Sequence, residues 1–413
     1  MHLQGIAGLI VLIGIAWVVS ENRRGINYKG IFAGVVLQLL TAAILLNVPI
    51  FKQFFFFLNG LVLSLEEATR AGTSFVFGYL GGGPLPFDEK SPGMSYTLAF
   101  QALPLVLLVG AMSSLLFYWR ILPAIVRVFS LLFRKALNLG GALSLGASTT
   151  IFLGMVEAPL LIKPYLREMT RSELFSLMAC GMASIAGTVM VLYSTILKGI
   201  IPDPLGHILI ASLIHIPAAI TVSRIIIPET GTQTAGMLAP QQTAKSPMDA
   251  ITKGTLDGLT LLINIVAMLI VAVALVNLVN QGLGLLPSIG GSAVTLQMLL
   301  GRVMAPIVWL FGIPWAEAQT AGYLMGTKTI LNELLAFLEL AKTPAALLSQ
   351  RSRLIMTYAL CSFANFGSLG ILIGGLGSMV PERRTEVVTL GIKALFAGTL
   401  ATCMTGAVVS LFI

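Results

Sequence analysis

Apolar runs of about twenty residues, the length that spans a bilayer, recur along this chain with short polar and basic stretches between them. Eight runs predict crossing helices: 3–20, 31–50, 98–118, 174–200, 208–227, 259–279, 354–380 and 387–413. Three other runs are amphipathic. In 51–77 the apolar positions Phe54, Phe55, Leu58 and Val62 alternate with Lys52, Glu66, Glu67 and Arg70; 121–137 carries Arg127, Arg134 and Lys135; 281–311 is arranged around a turn at Gly290 and Gly291. These suit helices lying in the membrane interface.

Two further runs are apolar but interrupted. The run 140–165 holds Gly, Ser and Thr residues with Glu157, Pro159 and Pro164, and 316–340 holds Lys328, Glu333 and Glu339. The first begins after Lys135 and ends before Arg167 and Arg171, so it returns to the side it left. Both read as re-entrant hairpins, because broken backbone at membrane depth persists only where it is buried in protein or lines a cavity. Each is followed by a run with a polar break, at 184–187 and 365–368, and then by a plain run. Hairpin, broken helix and plain helix, occurring twice in opposite orientation, make an inverted-topology repeat of the kind that places a binding site near the midplane. The expected fold is an all-α polytopic membrane protein with eight transmembrane helices, two re-entrant hairpins and several interfacial helices. The expected units are scaffold and interfacial helices at 1–139 and a first transport repeat at 140–228. They continue with a linker, scaffold helix and external segment at 229–311, and a second transport repeat at 312–413. The polar stretch 228–247, rich in Thr, Gln and Gly, is the boundary between halves, and the loop from Gly81 through Ser95 another break.

Composition agrees. Of 413 residues 56% are hydrophobic and only 10% charged, which excludes a soluble domain. The net charge of +8 comes from Lys and Arg scattered at the ends of apolar runs, so it reports topology rather than nucleic-acid binding. Arg23, Arg24 and Lys29 follow the first run, which puts the N-terminus outside and, after eight crossings, the C-terminus outside too; Arg351 and Arg353 fall on the outer side against the trend. The first run lacks a basic lead and a cleavage site and reads as an uncleaved span. Cys180, Cys361 and Cys403 lack metal or redox spacing and read as packing residues.

Glu157 and Glu333 are the informative charges, since an ionised carboxylate at membrane depth costs roughly 2.5–3.5 kcal/mol even on the mildest scale. A bound substrate or ion would offset that cost; the plainer alternative is an ion pair with Lys163 or Lys328. Asn365 and Ser368 offer donors and acceptors to a ligand or to a neighbouring helix. Thr149, Thr150 and Ser184 can lend oxygens to a monovalent cation or bond back to their own helix. His207 and His215 suit a proton relay or ordinary packing, and Ser184 with His215 is a candidate dyad for an intramembrane hydrolase. A passive channel for small polar solutes is a third class.

At these residues the chain resembles the concentrative nucleoside transporter family. The words that carry the resemblance are Ala147-Ser148 through Phe152 and Gly154, Glu157-Ala158-Pro159-Leu160-Leu161-Ile162-Lys163-Pro164-Tyr165-Leu166 and Gly181-Met182-Ala183-Ser184-Ile185-Ala186-Gly187. In the second half they are Gly312-Ile313-Pro314-Trp315, Asn332-Glu333, Tyr358-Ala359-Leu360-Cys361 and Phe363-Ala364-Asn365-Phe366 with Ser368. The resemblance implies a homotrimer in the inner membrane, not an enzyme and without cofactor, that moves nucleosides by an elevator-like motion coupled to sodium or protons. It further implies that Glu333, Asn365 and Ser368 hold the ribose with Phe363 beside it, while the hairpin tip Met155, Val156 and Glu157 faces the base with Val189 opposite. Members of the family commonly show Gly-Gln-Thr-Glu or Gly-Gln-Ser-Glu at the tip, where this chain has Gly154-Met155-Val156-Glu157. The base would then be accepted by shape and stacking, or the substrate would be another riboside or something smaller. Thr150 stands where the family's sodium site often has Asn, alongside Ser184 and backbone oxygens at Leu153 and Ile185, which leaves sodium and protons as alternatives.

Overall fold

The computed structural model describes residues 2–88, 95–235, 244–287 and 294–413, with the side chains of 2, 49–59, 61, 62, 268 and 272 outside the description. The face formed by Phe54, Phe55, Leu58 and Val62, the turn at Gly290 and Gly291, and 236–243 of the linker therefore lie outside the described residues. Those described form helices and no strand.

Helix α1 (His2–Val18) is followed by α2 (Tyr28–Asn47), which starts where the Asn27 side chain accepts from Gly30 N, and by α3 (Pro49–Phe77), which starts on Pro49. The run 98–118 divides at Pro104 into α4 (Leu98–Gln101) and α5 (Leu105–Tyr118). Left-handed residues Arg120 and Asn138 bracket α6 (Ile121–Leu137) and turn the chain sharply at each end. The first interrupted run forms α7 (Gly141–Thr149), a turn and α8 (Glu157–Leu161). A capping box of Thr170 and Glu173 starts α9 (Arg171–Ala183), which breaks at 184–186 and resumes as α10 (Gly187–Ile196) before α11 (Pro204–Ile226).

The second half opens with α12 (Pro247–Leu283), far longer than the apolar run 259–279. Ser246 accepts from Asp249 N with Pro247 behind it, so capping, not hydropathy, sets its start. Helix α13 (Leu296–Leu310) and α14 (Trp315–Ile330) meet at a bend of 116°. Then come α15 (Glu333–Lys342), α16 (Gln350–Leu360), a break at 361–365, α17 (Phe366–Met379) and α18 (Arg384–Val409). Among the described residues six helical stretches, at 28–47, 98–118, 171–196, 204–226, 247–283 and 381–409, are long and apolar enough to cross a membrane. Helices α1 and α17 are apolar but shorter, so these criteria do not establish the expected eight.

The core lies where α9, α11 and α18 pack together, while the apolar stretch of α12 is exposed in the single chain. Helix α12 meets α5 at a glycine crossing. A Cβ at Gly254 would lie 2.8 Å from Ala111 Cα, and one at Gly258 would lie 3.0 Å from Leu107 Cα. Gly254→Val should therefore cost about 1–3 kcal/mol through overpacking and lower the thermal unfolding midpoint in detergent; an unchanged midpoint would refute the close crossing.

Basic residues gather at one end of the bundle. Arg171 and Lys393 bond to Glu21 at 3.0 and 2.5 Å, and Arg383 Nη1 donates to Leu166 O and Met169 O. Burial tends to raise the pKa of Glu21, but the bonds from Arg171 and Lys393 outweigh it and hold the carboxyl below its ordinary range. The two arginines that broke the charge pattern have another task. Arg351 donates to the carbonyls of Ile413, Gly312 and Ser410, and Arg353 to those of Leu348 and Thr343; Ser410 and Thr343 are the C-caps of α18 and α15, where carbonyls are to spare.

Candidate functional site

Both helix breaks free backbone groups that lipid cannot satisfy, and the fold resolves this by bonding breaks and hairpin to one another. Gly187 N donates to Phe152 O at 2.9 Å, tying the first break to the turn after α7, and Phe363 N donates to Ser184 O at 3.0 Å, tying the second break to the first. Around this crossing lies a cavity of about 190 Å³. All eight residues expected to contact substrate line it: Met155, Val156, Glu157, Val189, Glu333, Phe363, Asn365 and Ser368.

Glu333 is buried at the start of α15 and makes two hydrogen bonds through its carboxylate. Tyr193 Oη donates to Oε1 at 2.6 Å and Asn365 Nδ2 donates to Oε2 at 2.8 Å. Asn365 is fixed in turn because its Oδ1 accepts from Ser368 N at 2.8 Å and caps α17. Tyr193 is held by Phe337, with ring centroids 4.9 Å apart. A carboxylate offers about four acceptor positions, so Glu333 keeps capacity for donors arriving from the cavity.

Among the described residues neither Glu157 with Lys163 nor Glu333 with Lys328 forms a contact ion pair, although the charges of Lys328 and Glu333 attract one another at longer range. Lys163 is exposed, and Lys328 is buried with no hydrogen-bond partner on Nζ. The apolar tip residues have packing roles. Met155 is buried against Gly181 of α9, and Val156 packs on Gly375 of α17, where an added Cβ would lie 2.9 Å from its methyl groups.

None of the four residues expected around a cation, Thr150, Leu153, Ser184 and Ile185, lines this cavity. Thr150 Oγ1 donates to Ala147 O at 2.8 Å and Ser184 Oγ to Gly181 O at 3.4 Å, which uses their protons and leaves oxygen lone pairs. Among the described residues no backbone hydrogen bond ends on the Leu153 or Ile185 carbonyl. The Thr150 and Ser184 hydroxyls and the Leu153 and Ile185 carbonyls are oxygens of the type that suits a hard monovalent cation. Thr149 bonds back to Leu145 O. His207 Nδ1 pairs with Tyr358 Oη at 2.7 Å, and His215 Nε2 with Tyr358 O at 3.1 Å; no hydrogen bond joins His215 to Ser184.

Several lining residues escaped the sequence reading. Tyr193 was findable, since it lies four residues after Val189 and shares its face of α10. Asn264, with Leu261, Ile265 and Leu269, forms a wall from α12, and a polar residue within that apolar run was the available signal.

A buried carboxylate engaged by side chains and aimed into a small cavity between broken membrane helices defines a solute transporter. Family comparison narrows the class. Residues 7–80 match the model of the Na⁺ dependent nucleoside transporter N-terminus, 207–410 that of its C-terminus, and 99–199 one described as nucleoside recognition. The chain is 34% identical to the nucleoside permease NupC of Helicobacter pylori, over all of this chain and 98% of that protein. It is 32% identical to the putative nucleoside permease NupX of Escherichia coli, over all of this chain and 99% of that one. A solved structure of CNTnw in an inward-facing substrate-bound state superposes with a TM-score of 0.91 at 32% identity, covering 99% of this chain and 98% of that one. The chain belongs to the concentrative nucleoside transporter family, and is a transporter rather than an enzyme.

Proposed function

We propose that this protein is a symporter that takes up nucleosides or close ribosides across the inner membrane, coupled to sodium, by an elevator-like movement. The observation that carries the reading is the Glu333–Asn365 pair on the wall of the cavity. A carboxylate with spare acceptor positions suits the vicinal hydroxyls of a ribose, Ser368 adds a hydroxyl, and Phe363 offers an apolar face to the sugar. At the tip only Glu157 remains to meet a polar edge of the base, because Met155 and Val156 are spent on packing. Val189 lines the same cavity and would lie across from it. Recognition of the base through shape and stacking follows, with broad base tolerance.

Sodium would be held by Thr150, Ser184 and the carbonyls of Leu153 and Ile185. Bound there, it supplies fixed positive charge where the first hairpin meets the break at 184–186. The position of the cavity favours an elevator: α12 supplies one wall, and segments within 140–228 and 312–413 supply the others. These last two segments would be the inverted repeats, with both hairpins, moving along a scaffold that includes α5 and α12. Three copies assembling through scaffold helices would cover part of the exposed apolar face of α12. The basic end would face the cytoplasm by the positive-inside rule, with both termini outside.

Uptake of uridine, adenosine and inosine into proteoliposomes, with sodium and pH gradients imposed separately, tests the reading. Concentrative uptake of at least one nucleoside under the sodium gradient is expected. Uptake under the pH gradient alone would replace sodium by protons, and no concentrative uptake under either would refute symport of nucleosides.

A further inference from the structure

A second polar cavity, of about 220 Å³, opens at the basic end of the bundle and shares no lining residue with the first. It lies where the N-terminus of α2, the C-terminus of α6 and the last turns of α11 converge, and the stretch after α11 covers one side. The dominant group inside is Arg224. Its Nη1 donates to the carbonyls of Leu137 at 3.3 Å and Asn138 at 3.4 Å, which locks the guanidinium to the end of α6. Its Nε and Nη2 are both buried and have no hydrogen-bond partner among the described residues. Those two nitrogens form one side-on edge of the guanidinium, the edge that grips two oxygens of an oxyanion in parallel.

Glu229 lines the cavity and its charge, like that of Glu173, acts on Arg224, but the oxygens of both acids are turned to other donors. Glu229 accepts from Gly231 N at 2.9 Å and from Thr170 Oγ1 at 2.7 Å. Glu173 accepts from Thr234 N at 3.0 Å, Thr234 Oγ1 at 2.6 Å and Thr170 N at 3.1 Å. Neither forms an ion pair with Arg224 among the described residues. Opposite the arginine, Asn27 spends its Oδ1 on Gly30 N at 3.1 Å, which leaves its amide nitrogen to donate. The N-terminus of α2 adds the positive end of a helix dipole.

We propose that this cavity binds a phosphate group through the Nε/Nη2 edge of Arg224, with Asn27 as second donor. A lipid headgroup or a free phosphate presents the same chemistry. Occupancy would join α2, α6 and α11 at the point where the chain leaves α6 for the first hairpin.

The test is thermal unfolding of the full-length protein in detergent, with inorganic phosphate compared against chloride at equal ionic strength, and phosphatidylglycerol against a galactosyl diacylglycerol, which has no phosphate. A rise in midpoint of several degrees is expected in at least one comparison. A rise with phosphatidylglycerol alone identifies a lipid headgroup; a rise with inorganic phosphate identifies a free phosphate. Because phosphate stabilises many proteins by exclusion from their surface, Asn27→Asp is decisive: it preserves the cap of α2 and places negative charge in the cavity. That variant should lose most of the shift, and so should Arg224→Lys, which keeps the charge but not the fork. No shift with either ligand, or a shift undiminished in Asn27→Asp, overturns the proposal.

Discussion

Glu333→Gln should reduce nucleoside uptake by roughly tenfold to a hundredfold while leaving the protein folded. Hydrogen bonds to a charged partner contribute about 1.5–3 kcal/mol each, and the substitution weakens those made by ligand hydroxyls to this carboxylate. The local geometry explains why the fold should tolerate it. Asn365 can only donate toward Glu333, because its Oδ1 is committed to Ser368 N. The glutamine oxygen must therefore face Asn365, and its amide group then faces Tyr193, whose hydroxyl can rotate to accept. Uptake into proteoliposomes and the unfolding midpoint together check this: activity should fall with the midpoint nearly unchanged. Near-normal uptake would show that Glu333 does not hold the sugar.

Which features were legible in the sequence depends on what encodes them. Glu157, Glu333, Asn365 and Ser368 stood out because a polar group at membrane depth is costly and needs a reason, and all four line one cavity. Tyr193 did not stand out, since its ring belongs in an apolar run and only its hydroxyl reaches Glu333. The α12 wall is mostly apolar, and Asn264 alone marked it within a run that otherwise reads as a plain span. Helix limits failed where capping overrode hydropathy, as Ser246 and Pro247 do for α12. Arg351 and Arg353 misled the charge count because the sequence does not reveal that their partners are the carbonyls of distant helix ends, such as Ser410 and Thr343. What the apolar tip residues do is three-dimensional and was not legible: Gly181 and Gly375 open the space that Met155 and Val156 fill.

The larger loss is expected at Asn365, because one side chain serves both fold and site. In Asn365→Ala the cap of α17 disappears, at a cost of about 0.5–2 kcal/mol. Glu333 Oε2 also loses its donor in a buried setting, at about 1–3 kcal/mol more. The unfolding midpoint should fall and uptake should drop to background. A fall in both leaves open which role matters to transport, and Asn365→Ser separates them. Serine caps helices about as well as asparagine, so the midpoint should recover most of its value, yet its hydroxyl is too short to bridge to Glu333 while capping α17. Uptake by Asn365→Ser should therefore stay at least tenfold below the parent protein, with the deficit in apparent substrate affinity as well as rate, since both the orientation of Glu333 and an amide donor are lost. Recovery of uptake along with stability would mean that Asn365 acts only by starting α17, and that Glu333 holds its ligand without it.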